Sequence, residues 1–146
     1  YTYADSSRVG MWGHSMGGGV TLKAMVVSGR IRAAAVFAPV SADDADNMGV
    51  ADQMRGPDPP VDRVTVKLVS AINYLRYAPP LQIHHGAADE TTPLAWSEKL
   101  AAAMDEAGKP YTLYVYAGQG HVLNGRAWTQ AMERTVQFFD EYVKVE

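Results

Sequence analysis

Cysteine is absent from these 146 residues. Disulfides and thiolate metal sites are therefore excluded, and redox chemistry gives no hint of compartment. Long apolar runs are missing too, and nothing approaches the ~20 residues needed to span a bilayer. No cluster of Lys and Arg stands out, and the net charge is −3, so nucleic acid is not an expected partner. No internal repeat or low-complexity tract interrupts the chain. What remains is 47% hydrophobic and 20% charged, the make-up of a globular domain with its own core.

The most informative stretch is Gly13-His14-Ser15-Met16-Gly17, which fits G-x-S-x-G. Its flanks suit the pattern. Arg8–Trp12 is short and apolar, as a buried strand should be, and Gly17–Val27 reads as a helix. A serine on a sharp strand-to-helix turn is pushed out of the sheet, and the next amide, that of Met16, can face a developing oxyanion. Gly13 and Gly17 are expected to relieve crowding at the turn, and Gly18 and Gly19 to let the helix pack close to the strand.

Strand Ile31–Phe37 follows, closed by Pro39. Residues 41–60 are acidic, then rich in Gly and Pro, and read as a loop. The wider segment 41–78 is a candidate lid or pocket-forming insertion, with Met48, Met54, Tyr74 and Tyr77 as candidate pocket residues. Within it, Val61, Val64, Leu68, Ile72 and Leu75 have helical spacing. Asp44-Ala45-Asp46-Asn47-Met48-Gly49 starts like a calcium loop but fails at Met48 and Arg55, so it reads as a solvated acidic loop. Strand Leu81–His85, helix Pro93–Ala107, strand Tyr111–Tyr116 and a helix from Arg126 to Val143 complete the pattern. The last helix is expected to bury Trp128, Met132, Val136, Phe139 and Val143. Alternating strands and helices predict an α/β fold: a mostly parallel sheet of about four strands, covered on both faces.

Two later residues suit the serine. Asp89 lies in the loop after Leu81–His85, at the strand end where such sheets carry their sites. There it can orient a histidine and stabilise its imidazolium. Glu90, or one of Asp43, Asp44 and Asp46, is an alternative acid. Thr92, directly before Pro93, reads as the cap of the next helix. His121, on the Gly118-Gln119-Gly120-His121 loop, is the candidate base. His14, His84 and His85 read as structural. The last two fall on opposite faces of a strand, so a metal shared with Asp89 is not expected. No metal or cofactor is predicted.

Ser7–Gly18, Gln82–Pro93 and Tyr114–His121 together resemble the α/β-hydrolases, and are most similar to the prolyl-oligopeptidase-type and dienelactone-hydrolase-like branches. The blocks come in that family's order, Ser, Asp, His, and frame most of the chain. The resemblance implies a triad of Ser15, His121 and Asp89, with Met16 N–H as an oxyanion donor. It also implies about eight strands, of which only the last four are found. On this reading residues 1–146 form one catalytic domain lacking the usual N-terminal half. Opening at Tyr1 in mid-pattern, the sequence fits a fragment, a matured product or a segment of a longer chain.

The second oxyanion donor would go with that half, a loss that typically costs ~10²–10³ in turnover. The serine strand would become a bare edge, inviting a homodimer or a second polypeptide. The expected activity is hydrolysis of small carboxylic esters through an acyl-enzyme. Alternatives are a prolyl-oligopeptidase-type peptidase, or a weakly active fragment or subunit that needs a partner chain.

Overall fold

The computed structural model describes residues 5–55 and 62–144, with the side chains of residues 50–55 and 63 outside that description. Four strands form one sheet: β1 (Val9–His14), β2 (Ile31–Phe37), β3 (Leu81–Gly86) and β4 (Tyr111–Tyr116). Their order is β1-β2-β3-β4, and every pairing is parallel. All four carboxyl ends therefore open on one rim.

Helix α1 (Met16–Val27) packs on β1 and β2, and α4 (Leu94–Glu106) on β3 and β4. Between them lies a 3₁₀ helix, Ala71–Tyr77. The main core fills this face, with Leu22, Met25, Val36, Leu81, Ile83, Leu100 and Met104 almost fully buried. β2 is lined by Ala33, Ala34 and Ala35, all buried. An alanine-rich strand lets helices approach both faces closely.

Helix α5 (Gly125–Tyr142) covers the opposite face at β2 and β3. Its seat differs from the expected one. Ala131 and Thr135 are its buried residues, whereas Trp128 is 41% and Val136 57% exposed. Small residues at the crossing bring the helix close to the sheet. Trp128 and Phe139 then reach toward β1, beside Trp12 and Gly10.

The 41–78 segment also departs from its reading. Helix α2 (Asp44–Arg55) stands where an acidic loop was expected. Asp44 and Asp46 lie in its first turn, where carboxylates favour a helix. The helix expected over Val61–Leu75 is split into α3 (Arg63–Val69) and the 3₁₀ helix by Ser70, whose backbone is extended. Asp62 caps α3 by accepting from Val64 N. Ser70 Oγ donates to Val66 C=O and accepts from Asp44 N, joining α2 to the break. The split leaves Val64 and Leu68 exposed and buries Val66 in their place, while Leu75 is buried as expected. Val61 and the Met54 side chain lie outside the described residues.

Candidate active site

Ser15 stands between β1 and α1 with φ 55° and ψ −121°, a backbone conformation that costs a non-glycine residue about 1–3 kcal/mol. Two backbone bonds hold it there: Ser15 N–H donates to Phe37 C=O at 2.9 Å, and Val40 N–H to Ser15 C=O at 3.2 Å. A Cβ on Gly13 would meet Gly17 C=O at 2.2 Å, so glycine is required at that position. Gly17 differs from expectation, because a Cβ there would meet nothing within 4 Å. Cβ atoms on Gly18 and Gly19 would strike Pro39 and Val40, so these glycines admit the segment after β2 rather than β1.

His121 follows β4. A Cβ on Gly86 would lie 2.2 Å from Gly120 C=O, so that glycine lets the histidine's loop lie against the end of β3. Ala87 N–H donates to Tyr116 C=O and Ala88 N–H to Gln119 C=O, tying the loops after β3 and β4 together. His14 Nε2 donates to the His121 carbonyl at 2.9 Å. The side chain beside the serine thus pins the loop carrying the imidazole.

The three candidates converge. His121 Nε2 lies 2.9 Å from Ser15 Oγ, and His121 Nδ1 lies 2.9 Å from Asp89 Oδ2. With Nδ1–H donating to the carboxylate, Nε2 presents its lone pair to the serine hydroxyl. The Asp89 side chain is fully buried. Its Oδ1 accepts from Thr91 N at 2.8 Å and Thr92 N at 3.0 Å, and its Oδ2 accepts from Thr92 Oγ1 at 2.9 Å. Burial pushes the carboxyl up, but hydrogen bonds from His121, Thr92 and Thr91 outweigh it and hold Asp89 below the usual carboxylate range.

The alternative acids are engaged elsewhere. Glu90 is exposed. Asp43 and Asp46 pair with Lys99 at 2.7 and 3.0 Å, and Asp44 pairs with Lys23. Met16 is the first residue of α1 and its side chain is 76% exposed. Its amide belongs to the first turn, whose N–H groups have no partner within the helix.

Thr92 corrects its reading as a cap. Pro93 occupies the cap position of α4, and the Thr92 hydroxyl turns inward between Asp89 and the Ala38 carbonyl. His84 and His85 are fully buried on opposite faces of β3. His84 stacks on Phe37 with ring centroids 4.3 Å apart and bonds Tyr116 and Gln82. Burial, with Arg134 nearby, pushes His84 down to about 3, so it is neutral. Sequence reasoning missed the parts played by Thr92 and His14, since both depend on contacts between distant loops.

A cavity of about 180 Å³, lined by Trp12, Phe37, Val122, Leu123, Trp128 and His121 among others, adjoins the imidazole on the α5 side. Met48, Tyr74 and Tyr77 take no part in it. Tyr74 borders a separate hollow at α3 with Val64 and Leu68, and Tyr77 is exposed beneath the Arg76 guanidinium. Among the described residues no helix is long and apolar enough to cross a membrane.

The model of the prolyl oligopeptidase family matches residues 1–146. The chain belongs to that family. Solved structures of similar fold include a Mycobacterium tuberculosis puromycin-hydrolyzing peptidase, at TM-score 0.85 and 22% identity over 98% of this chain and 23% of that one. A Pyrococcus horikoshii acylaminoacyl peptidase has TM-score 0.78 and 21% identity, over 99% of this chain and 26% of its own. Porphyromonas gingivalis dipeptidyl peptidase 4 has TM-score 0.81 and 27% identity, over 96% and 20%. The 146 residues thus span about a quarter or less of each of these family-like chains. No curated protein matches the chain by sequence.

Proposed function

We propose that this chain is the catalytic core of a serine peptidase. The observation that carries the reading is the continuous path Ser15 Oγ, His121 Nε2, His121 Nδ1, Asp89 Oδ2, with 2.9 Å at each contact between residues. Ser15 Oγ attacks the substrate carbonyl carbon while its proton passes to His121 Nε2. Met16 N–H holds the oxyanion. His121 then gives the proton to the leaving amine, and water repeats the cycle on the acyl-enzyme. Asp89 keeps Nδ1–H directed and offsets the imidazolium charge.

An amide bond is favoured over the carboxylic ester expected from the sequence. The family match and the peptidase names of the three solved neighbours support it. Short peptides are the substrate class proposed. A second reading, that turnover needs further polypeptide, is supported by β1 lying at the sheet edge and by the length of the neighbours.

A fluorophosphonate probe tests the nucleophile. Ser15 is expected to be labelled, and Ser15→Ala to abolish labelling. Peptide p-nitroanilides beside p-nitrophenyl acetate then separate amide from ester cleavage. Failure of the folded chain to label would remove the hydrolase reading. Labelling with ester turnover alone would remove the peptidase reading.

A further inference from the structure

His85 is a second imidazole on the same carboxylate. It is fully buried near the end of β3. Its Nδ1 lies 2.7 Å from Ser97 Oγ on α4, and its Nε2 lies 2.8 Å from the Thr92 carbonyl. The same Nε2 is 3.3 Å from Asp89 Oδ2, the oxygen that receives His121.

These partners fix the proton. A backbone carbonyl and an ionised carboxylate can only accept, so Nε2 must carry the hydrogen. Nδ1 then presents a lone pair, and Ser97 must donate to it. Burial lowers the affinity of the ring for a second proton, keeping it neutral. The titratable groups acting on His85 are Asp89 and His121. A purely structural histidine would be satisfied by Ser97 and Thr92 alone. That role does not require Nε2 to stand 3.3 Å from the carboxylate oxygen used by the candidate base.

We infer that His85 is a positioning residue: its Nε2–H is shared between Thr92 C=O and Asp89 Oδ2, and Ser97 holds the ring in that tautomer. The inference rests on the peptidase reading for its catalytic meaning. Oδ2 then accepts from three directions, His121, Thr92 and His85, while Oδ1 is held by two amides. The carboxylate cannot turn away, and part of its charge is taken up by donors other than His121. Without His85, more of that charge falls on His121, and the Nδ1–H bond to Asp89 tightens.

Ring-nitrogen NMR tests the geometry without requiring turnover. At neutral pH His85 is expected to carry its proton on Nε2 alone. In His85→Leu the Nδ1–H proton resonance of His121 is expected to move downfield. In His85→Gln, whose amide nitrogen can replace Nε2, it should return toward that of the parent. Fluorophosphonate labelling of Ser15 should slow by roughly three- to tenfold in His85→Leu, the size expected for one buried hydrogen bond. Ser97→Ala provides a less disruptive variant if His85→Leu does not fold, and should move the resonance the same way by less.

A proton on Nδ1 would overturn the inference. So would an unchanged His121 Nδ1–H resonance in a folded His85→Leu, or in Ser97→Ala if the leucine variant does not fold. A parent chain that shows the Nε2 tautomer but takes no label, with the His121 resonance displaced in His85→Leu, would uphold this placement of His85 and sink the peptidase reading.

Discussion

Ser15 and Gly13 divide the strain of the elbow between them. The serine takes the unfavourable backbone angles, and the glycine leaves room for the returning Gly17 carbonyl. The two motif glycines should therefore respond differently to alanine. Gly13→Ala is expected to destabilise the fold by about 1–3 kcal/mol or more, because backbone must move to admit the methyl group. Gly17→Ala enters open space in a helix and should be neutral or stabilising by up to ~1 kcal/mol. Thermal unfolding of both variants checks this, and equal losses would contradict it. The candidate serine, acid and base, which the structure brings within 2.9 Å contacts, were legible in sequence because each sits on local chemistry: an elbow, a strand-end loop, a glycine-flanked turn. Thr92, His14 and His85 were not. Their parts arise only when β1 meets the His121 loop, when Thr92 meets Ala38, or when α4 meets β3.

α5 shows how an element can be read correctly and seated wrongly. The strand bounds and the helix were visible as patterns. The seating was not, because α5 meets the sheet through Ala131 and Thr135, which carry little hydrophobic signal. α2 was hidden for a related reason: its acidic, polar sequence has no apolar period. The same interface sets a pH dependence. His84 bonds Gln82 and Tyr116, and Thr135 of α5 bonds Gln82 in turn. An unfolded chain takes up this proton below about 6.5, whereas the folded chain resists until about 3. Stability contributed by neutral His84 is therefore present above 6.5 and lost as pH falls through that window, at most ~1.4 kcal/mol per pH unit. Urea unfolding at several pH values should give a shallower dependence for His84→Gln than for the parent. An identical slope would show that the burial of this imidazole is not linked to folding.

For the whole molecule, the open side is as informative as the closed one. β1 is an edge strand with Trp12 44% exposed, and Trp128 and Val136 are exposed on α5. Unpaired backbone beside large apolar side chains invites association. We propose that other polypeptide covers this side. A 146-residue chain prepared alone is then expected to self-associate at micromolar concentration. Light scattering that returns a uniform 15.8 kDa species would count against it.

The neighbouring imidazoles of β3 make that strand a ruler for two layers at once. One ring anchors the long C-terminal helix, and the other abuts the acid of the candidate triad. Threading the strand one step out of place would exchange them, presenting each layer with the wrong ring. A misaligned molecule would lose the helix anchor and the reactive centre in a single error, so proofreading of the sheet and assembly of the chemistry are the same event.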